Sequence, residues 1–262
     1  MEEFVRYTKS QAVARIELNR PAQLNALNAG MLRGLLDAIE DAEQDPEVRS
    51  ILLTGAGEAF CAGGDLGIIE QWSRSSAVEV YRSMREVGRV VLRVYDVPKP
   101  LITAVNGAAV GGGCSLALCG DVILASDRAR FGMVFSRYNL GPDMGGSYIL
   151  PRLVGVLRAK ELIYTGKIIT AQEALAYGMV NEVIPHERLM EEAEKRAQKM
   201  ARWATQAIGM AKGLIHASLA GGDLSEALER EAEVQALLFQ SEDTREAIRA
   251  FLESRKPQFR NR

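Results

Sequence analysis

Cysteine is scarce in this chain: its 262 residues include three, Cys61, Cys114 and Cys119, and no two form a C-x-x-C pair. That argues against a disulfide framework or a zinc site and fits a reducing compartment, so a cytoplasmic location is expected. Histidine is scarcer still, with only His186 and His216, both in the C-terminal part. A serine-hydrolase triad therefore has no base near Ser115 in sequence, and no G-x-S-x-G elbow occurs. Neither sign of charge dominates. The 32 basic and 34 acidic residues give a formal charge of −2, and no basic block points to nucleic acid. No uncharged apolar run approaches bilayer length, and the opening MEEFVRYTKS is too charged for a secretory signal. The hydrophobic share of 47% is nevertheless enough to bury a substantial core in one or two domains.

Against these absences two glycine-rich turns stand out, Phe60-Cys-Ala-Gly-Gly-Asp65 and Asn106-Gly-Ala-Ala-Val-Gly-Gly-Gly-Cys114. Each follows a short β-branched, strand-like run, Ser50–Thr54 and Leu101–Val105, and precedes a segment able to start a helix. Glycine at such a junction lets backbone N–H groups approach a ligand closely. Two converging donors suit an enolate or thioester oxyanion, whose charge develops only during reaction. The common look-alikes fail. Gly55-Ala-Gly57 is followed by Phe60 and Gly111-Gly-Gly113 by Leu116, so neither completes the G-x-G-x-x-G dinucleotide fingerprint. Neither site carries the Gly-Lys-Ser/Thr of a phosphate-binding loop, and no metal-ligand constellation is present.

The remaining pattern is mixed α/β. Strands are expected at Glu3–Thr8, Ala12–Leu18, Val122–Ala125 and Val180–Ile184, besides the two runs before the glycine turns. Helical spacing covers Met31–Glu43 and about Ala77–Tyr95, a helix follows the second glycine turn through Ser115–Cys119, and short helices fill Gly145–Tyr177. Thr170-Ala-Gln-Glu173 has the form of a capping box. Beyond Pro185 the sequence reads as helical throughout: Glu187–Ala201, Thr205–Leu219, Leu224–Phe239 and Arg245–Glu253. Asp223 and Asp243, each with a glutamate three residues on, support two of these starts. Spacing alone fits a doubly wound nucleotide fold as well as a superhelical stack of strand–loop–helix units.

Four segments together carry a resemblance: Asn19-Arg-Pro21 with Asn25-Ala-Leu27, Phe60-Cys-Ala-Gly-Gly-Asp-Leu66, Ala104-Val-Asn-Gly-Ala-Ala-Val-Gly-Gly-Gly-Cys114 and Gly178-Met-Val-Asn181. The chain resembles the crotonase superfamily of enoyl-CoA hydratases and isomerases, in order and across essentially its whole length to Arg255-Lys-Pro-Gln-Phe259. The resemblance implies an α/β fold, a crotonase-like spiral of ββα units over residues 1–190 that carries an acyl-CoA site. An all-helical region over 191–262 would drive trimer formation, and trimers commonly pair into hexamers. It further implies an oxyanion hole made by the backbone N–H groups of Gly64 and Gly112, the latter at a helix N-terminus. Leu27, Ala62, Asp65, Leu66 and Gly67 would face the adenine and pantetheine of coenzyme A. The implied partner is an acyl-CoA thioester, with coenzyme A arriving as part of the substrate, no other cofactor, and an acyl pocket lined from about Leu66–Tyr95.

Typical hydratases of that superfamily hold a water between two glutamates. The matching positions here are Ser115 and, by ungapped alignment from Phe131-Gly132, Phe135, so both carboxylates are missing. Gly141-Pro-Asp143-Met-Gly-Gly-Ser147 resembles instead the Pro-Asp-x-Gly-Gly turn of a branch that includes the enoyl-CoA isomerases of phenylacetate degradation. That likeness implies that Asp143 takes the α-proton of a β,γ-enoyl thioester and returns it at the γ-carbon. The task needs a carboxyl of raised pKa, for which Met133, Val134, Phe135, Tyr138 and Met144 offer apolar surroundings. Five alternatives stay open. They are a ring-expanding rearrangement of an epoxide–CoA ester within the same branch, a hydratase with an unusual water site, a covalent role for Asp143, an acyl-CoA-binding protein without turnover, and an Asp143 that merely caps a helix starting near Gly145.

Overall fold

The β-branched runs ahead of the glycine turns form the middle of a sheet and are buried along their whole length. The computed structural model describes residues 3–261. The chain opens with a hairpin of β1 (Val5–Ser10) and β2 (Val13–Leu18). α1 (Ala29–Gln44) is capped by Asn28, whose side chain accepts the Met31 N–H, and buries a stripe of Met31, Leu35, Ala38, Ile39 and Ala42. β3 (Ser50–Gly55) and β4 (Ala59–Cys61) lead into α2 (Leu66–Ser73) and α3 (Ala77–Asp96). A Ser76–Glu79 capping box starts α3. The pattern repeats as β5 (Leu101–Val105), β6 (Ala108–Val110) and α4 (Gly112–Ala117). It repeats again as β7 (Val122–Ser126), β8 (Arg130–Gly132), a 3₁₀ turn at Val134–Tyr138, α5 (Gly146–Val154) and α6 (Val156–Thr165). β9 (Ile168–Thr170), α7 (Ala171–Ala176) and β10 (Glu182–Ile184) end the mixed part, with the expected Thr170–Glu173 capping box in place. α8 (Leu189–Ala201), α9 (Thr205–Ala220), α10 (Leu224–Phe239) and α11 (Glu242–Leu252) follow.

From β3 onward each ββα unit divides its two strands between two sheets, whereas β1 and β2 both lie in the larger one. The larger sheet has the order β1-β2-β3-β5-β7-β10 and the smaller one β4-β6-β8-β9. β3, β5 and β7 are parallel neighbours in one sheet, and β4, β6 and β8 are parallel neighbours in the other. Every unit therefore advances both sheets by one strand, which is the spiral expected from the resemblance. Alternate residues of the central strands serve opposite faces. Ile51, Leu53, Leu101, Val105, Ile123 and Ala125 join the main core. Leu52, Ile102 and Leu124 pack instead with Leu189, Ala193 and Ala197 of α8. Burial on both faces explains why these strands read as continuous apolar runs rather than alternating ones. The compositional change near residue 190 falls at the start of α8, and α8 lies on the sheet.

The structure differs from the sequence reading at several points: α2 (Leu66–Ser73) was not expected, and the helix expected through Ser115–Cys119 runs from Gly112 to Ala117. β4, β6, β8 and β9 have three residues each and went unforeseen, because that length holds no readable period and two of them sit inside the glycine turns. α11 begins at Glu242, not Arg245, and its cap is Ser241, which accepts the Thr244 N–H. Asp243 is no cap: it is buried in the first turn, and its carboxylate accepts the backbone N–H groups of Arg260 at 2.6 Å and Asn261 at 2.7 Å. Asp223 does cap α10, through the Glu226 N–H. Among the described residues no helix is long and apolar enough to cross a membrane.

Candidate active site

Two buried asparagines shape the first glycine loop. Asn106, just past β5, accepts the Gly55 N–H at 3.3 Å and donates to the carbonyls of Gly57 and Ala59 at 2.8 and 3.2 Å. Asn25 donates to the carbonyls of Ala56 and Ala59 at 2.9 and 2.8 Å. They satisfy backbone groups that leave the sheet where β3 turns into β4. The second loop crosses the first at backbone distance. A Cβ on Gly63 would lie 2.7 Å from the Val110 carbonyl oxygen and 3.4 Å from the Gly112 nitrogen, and one on Gly113 would overlap the Cys61 carbonyl. Gly63 also adopts φ +94, and Gly111, ahead of Gly112, adopts φ +54, both in the region that disfavours a side chain. The crossing brings Gly64 and Gly112 onto adjoining loops. Among the described residues neither of their N–H groups donates to another part of the chain. Gly112 is buried, and a buried backbone N–H without a partner is rare. Gly64 is exposed, so its free N–H is open to solvent, and two free donors on adjoining loops are an arrangement able to serve as an oxyanion hole.

Asp143 comes to the same place. Its Oδ1 lies 3.2 Å, and the Met144 Sδ 3.1 Å, from the point a Cβ on Gly112 would occupy. Oδ1 is buried and has no hydrogen-bond partner among the described residues. Burial pushes the carboxyl up to about 6, against a smaller opposing effect from its own backbone N–H. A helix-capping role is excluded, because α5 starts at Gly146 after Gly145 and has no side-chain cap. The turn is held by the Gly146 N–H donating to the Asp143 carbonyl at 2.9 Å. Met144, within it, is buried with φ +49, an uncommon conformation for a residue with a side chain.

Comparison with known proteins shows the family. Residues 8–262 match the model of the enoyl-CoA hydratase/isomerase family. The chain belongs to that family. It is 38% identical over 260 residues, 99% of each chain, to a 1,2-epoxyphenylacetyl-CoA isomerase of Escherichia coli K12. It is 36% identical over 253 residues, 96% of this chain and 95% of the other, to a crotonyl-CoA hydratase of Syntrophomonas wolfei. The crystal structure of an enoyl-CoA hydratase from Bacillus anthracis superposes with a TM-score of 0.92 at 34% identity, covering 99% of this chain and 100% of that one.

Within this member of the family the other expected residues fall in three groups. Leu27, Ala62, Asp65, Leu66 and Gly67 lie along one strip at the first loop. Leu27 donates to the Gly63 carbonyl at 2.7 Å and accepts the Asp65 N–H at 3.0 Å, and Ala62 donates to Leu24 at 2.9 Å. Asp65 caps α2 through the Gly67 N–H, and Leu66 and Gly67 are exposed. Burial alone would raise the Asp65 carboxyl, but the Arg20 guanidinium at 3.0 Å and the N–H groups of Gly67 and Ile68 hold it below its usual value. Ser115 is fully buried, with Oγ 4.0 Å from the Met133 Sδ and pressed against Gly146, so it packs and offers a ligand no surface in this structure. Phe135 is likewise buried, in the 3₁₀ turn. In the acyl-pocket segment Trp72 and Met84 pack on the core, whereas Tyr81 is exposed. Sequence reasoning gave no role to Arg20, Asn25 or Asn106, though all three stand inside the very motifs that carry the resemblance. A cavity of about 830 Å³ lies under α9 and includes no residue of either glycine loop. Free backbone donors and one unpartnered carboxylate oxygen, not volume, single out this place.

Proposed function

We propose that this chain shifts the double bond of an enoyl-CoA thioester from the β,γ to the α,β position. The observation that carries the reading is the buried, unpartnered carboxylate oxygen of Asp143 beside Gly112. Asp143 takes the α-proton, and the electron pair moves to the thioester oxygen, where the N–H groups of Gly64 and Gly112 receive the charge. The protonated carboxyl then returns the proton at the γ-carbon as the enolate collapses, so atoms and charge balance without another reactant. A carboxyl with pKa near 6 serves both halves, being mostly ionised at neutral pH yet basic enough to hold the proton between steps. Leu27, Ala62 and the Asp65–Gly67 strip receive the coenzyme A portion. The acyl-CoA substrate, the Gly64–Gly112 oxyanion hole and a homotrimeric or hexameric assembly are all part of this proposal.

The test is mass spectrometry of products from paired β,γ- and α,β-enoyl-CoA substrates in D2O. Double-bond migration with no gain of water, lost by about 10²–10⁴-fold in Asp143→Asn, is the expected result. Water addition to the α,β substrate by the unaltered protein would assign it instead to hydration, the activity named for the Syntrophomonas relative.

A further inference from the structure

Met144 stands out because its backbone position is unfavourable and its side chain is placed where it matters. A non-glycine residue at φ +49 is strained by about 1 kcal/mol or more, and such strain persists only where the surroundings impose it. They do so here. A Cβ on Gly145, the next residue, would meet Ile149 and Val91 at 3.2 and 3.5 Å, and one on Gly146 would collide with Ser115. The turn is thus clamped between α3, α4 and α5, and the thioether is driven against Gly112, next to Oδ1 of Asp143. The side chain is buried, so it fills this corner and does not reach solvent.

We propose that Met144 is a positioning residue that decides between isomerisation and hydration, by filling the space beside Asp143 and Gly112 that a reacting water would need. The inference rests on the isomerase reading of Asp143. A carboxylate with room for a water next to it can deliver that water to an α,β-enoyl thioester, hydroxyl to the β-carbon and proton to the α-carbon. A carboxylate sealed by a thioether can only move protons. Oδ1 is itself buried, so the corner as packed leaves little room beside it. Burial raises the Asp143 carboxyl and its own backbone N–H lowers it by less, with no charged side chain among the causes.

Met144→Ala and Met144→Gly are compared with Met144→Leu, which keeps the volume. Isomer and hydrated product are quantified in H2¹⁸O, together with the pH profile of kcat/KM. The Ala and Gly variants are expected to incorporate ¹⁸O into a β-hydroxyacyl product. Their isomerisation should fall roughly tenfold, and the acidic limb of the profile should move down by about one pH unit as Asp143 becomes hydrated. Met144→Leu is expected to keep the wild-type product ratio and limb. Slower isomerisation in the Ala and Gly variants with no ¹⁸O uptake and an unmoved limb would overturn the proposal, because lost packing alone changes rate without changing outcome. Asp143→Asn in the Met144 background tests the underlying reading separately. Full isomerase activity there would remove the role of Asp143 whatever the Met144 variants do.

Discussion

At the scale of the residue, the same burial that suits Asp143 to proton transfer works against the folded state. Its carboxyl is raised from 3.8 to about 6 on folding. Well below its unfolded value of 3.8 it is neutral in both states and contributes no difference. Above pH 6 the unfolded chain ionises it freely while the folded chain ionises it at a cost. A shift of this size corresponds to roughly 2–3 kcal/mol of destabilisation, fully present at pH 7 and fading as pH falls from 6 to 4. Asp143→Asn is therefore expected to melt several degrees higher than the unaltered protein at pH 7.5, with the gap closing near pH 4. Superimposable melting curves at both pH values would show that the carboxyl is not held dry. Catalysis runs the other way, with kcat/KM falling as pH drops through about 6 because the base becomes protonated. Asp143 was legible in the sequence as a member of a motif. Its unpartnered oxygen was not, since that depends on how the Asp143 turn folds back against the second glycine loop at Gly112.

At the scale of the element, what could be read in advance followed from length and periodicity. α1, with Leu35, Ile39 and Ala42 on one face, and the unbroken apolar runs of β3 and β5 declare themselves. The second sheet does not, because its strands are three residues long and gain their identity only from pairing across units. Helix ends were ambiguous for a related reason. Ser241 and Asp243 are both good caps, and only the tail that Asp243 holds distinguishes them. Glycines divide in the same way. Gly113→Ala would force β4 and α4 apart at the Cys61 carbonyl, so a loss of about 10²–10³-fold in kcat with a lowered melting temperature is expected. Gly88, inside α3, has open space where a methyl group would stand. Gly88→Ala is expected to stabilise by about 0.5–1 kcal/mol with activity unchanged, and a destabilised variant would show that α3 meets something there.

At the scale of the whole molecule, the C-terminal helices carry apolar surface that the chain itself leaves uncovered. α10 buries none of its residues, and Leu224, Leu237 and Phe239 are 74%, 63% and 64% exposed. Patches of this kind mark association surfaces. Light scattering at micromolar concentration is expected to give the mass of three or six chains, and a single-chain mass would remove the trimer from the proposal. The spiral was legible only through the family resemblance, whose motifs stand in order along the chain, since spacing alone fits a doubly wound fold equally well. The use made of α9–α11 was not, since amphipathic spacing looks the same whether the partner is the body or another copy. The cysteines act at this scale too. Cys61 and Cys114 lie on the two crossing loops and Cys119 just beyond α4, under α9, and burial pushes all three thiols up to about 12. A thiol reagent mixed with the native protein must therefore wait for the structure to open before it can react. The rate at which Cys61 and Cys114 take up label times the breathing of the active centre, while Cys119 times the floor beneath α9. The protein thus carries its own stopwatch for local unfolding, with no probe to be engineered in.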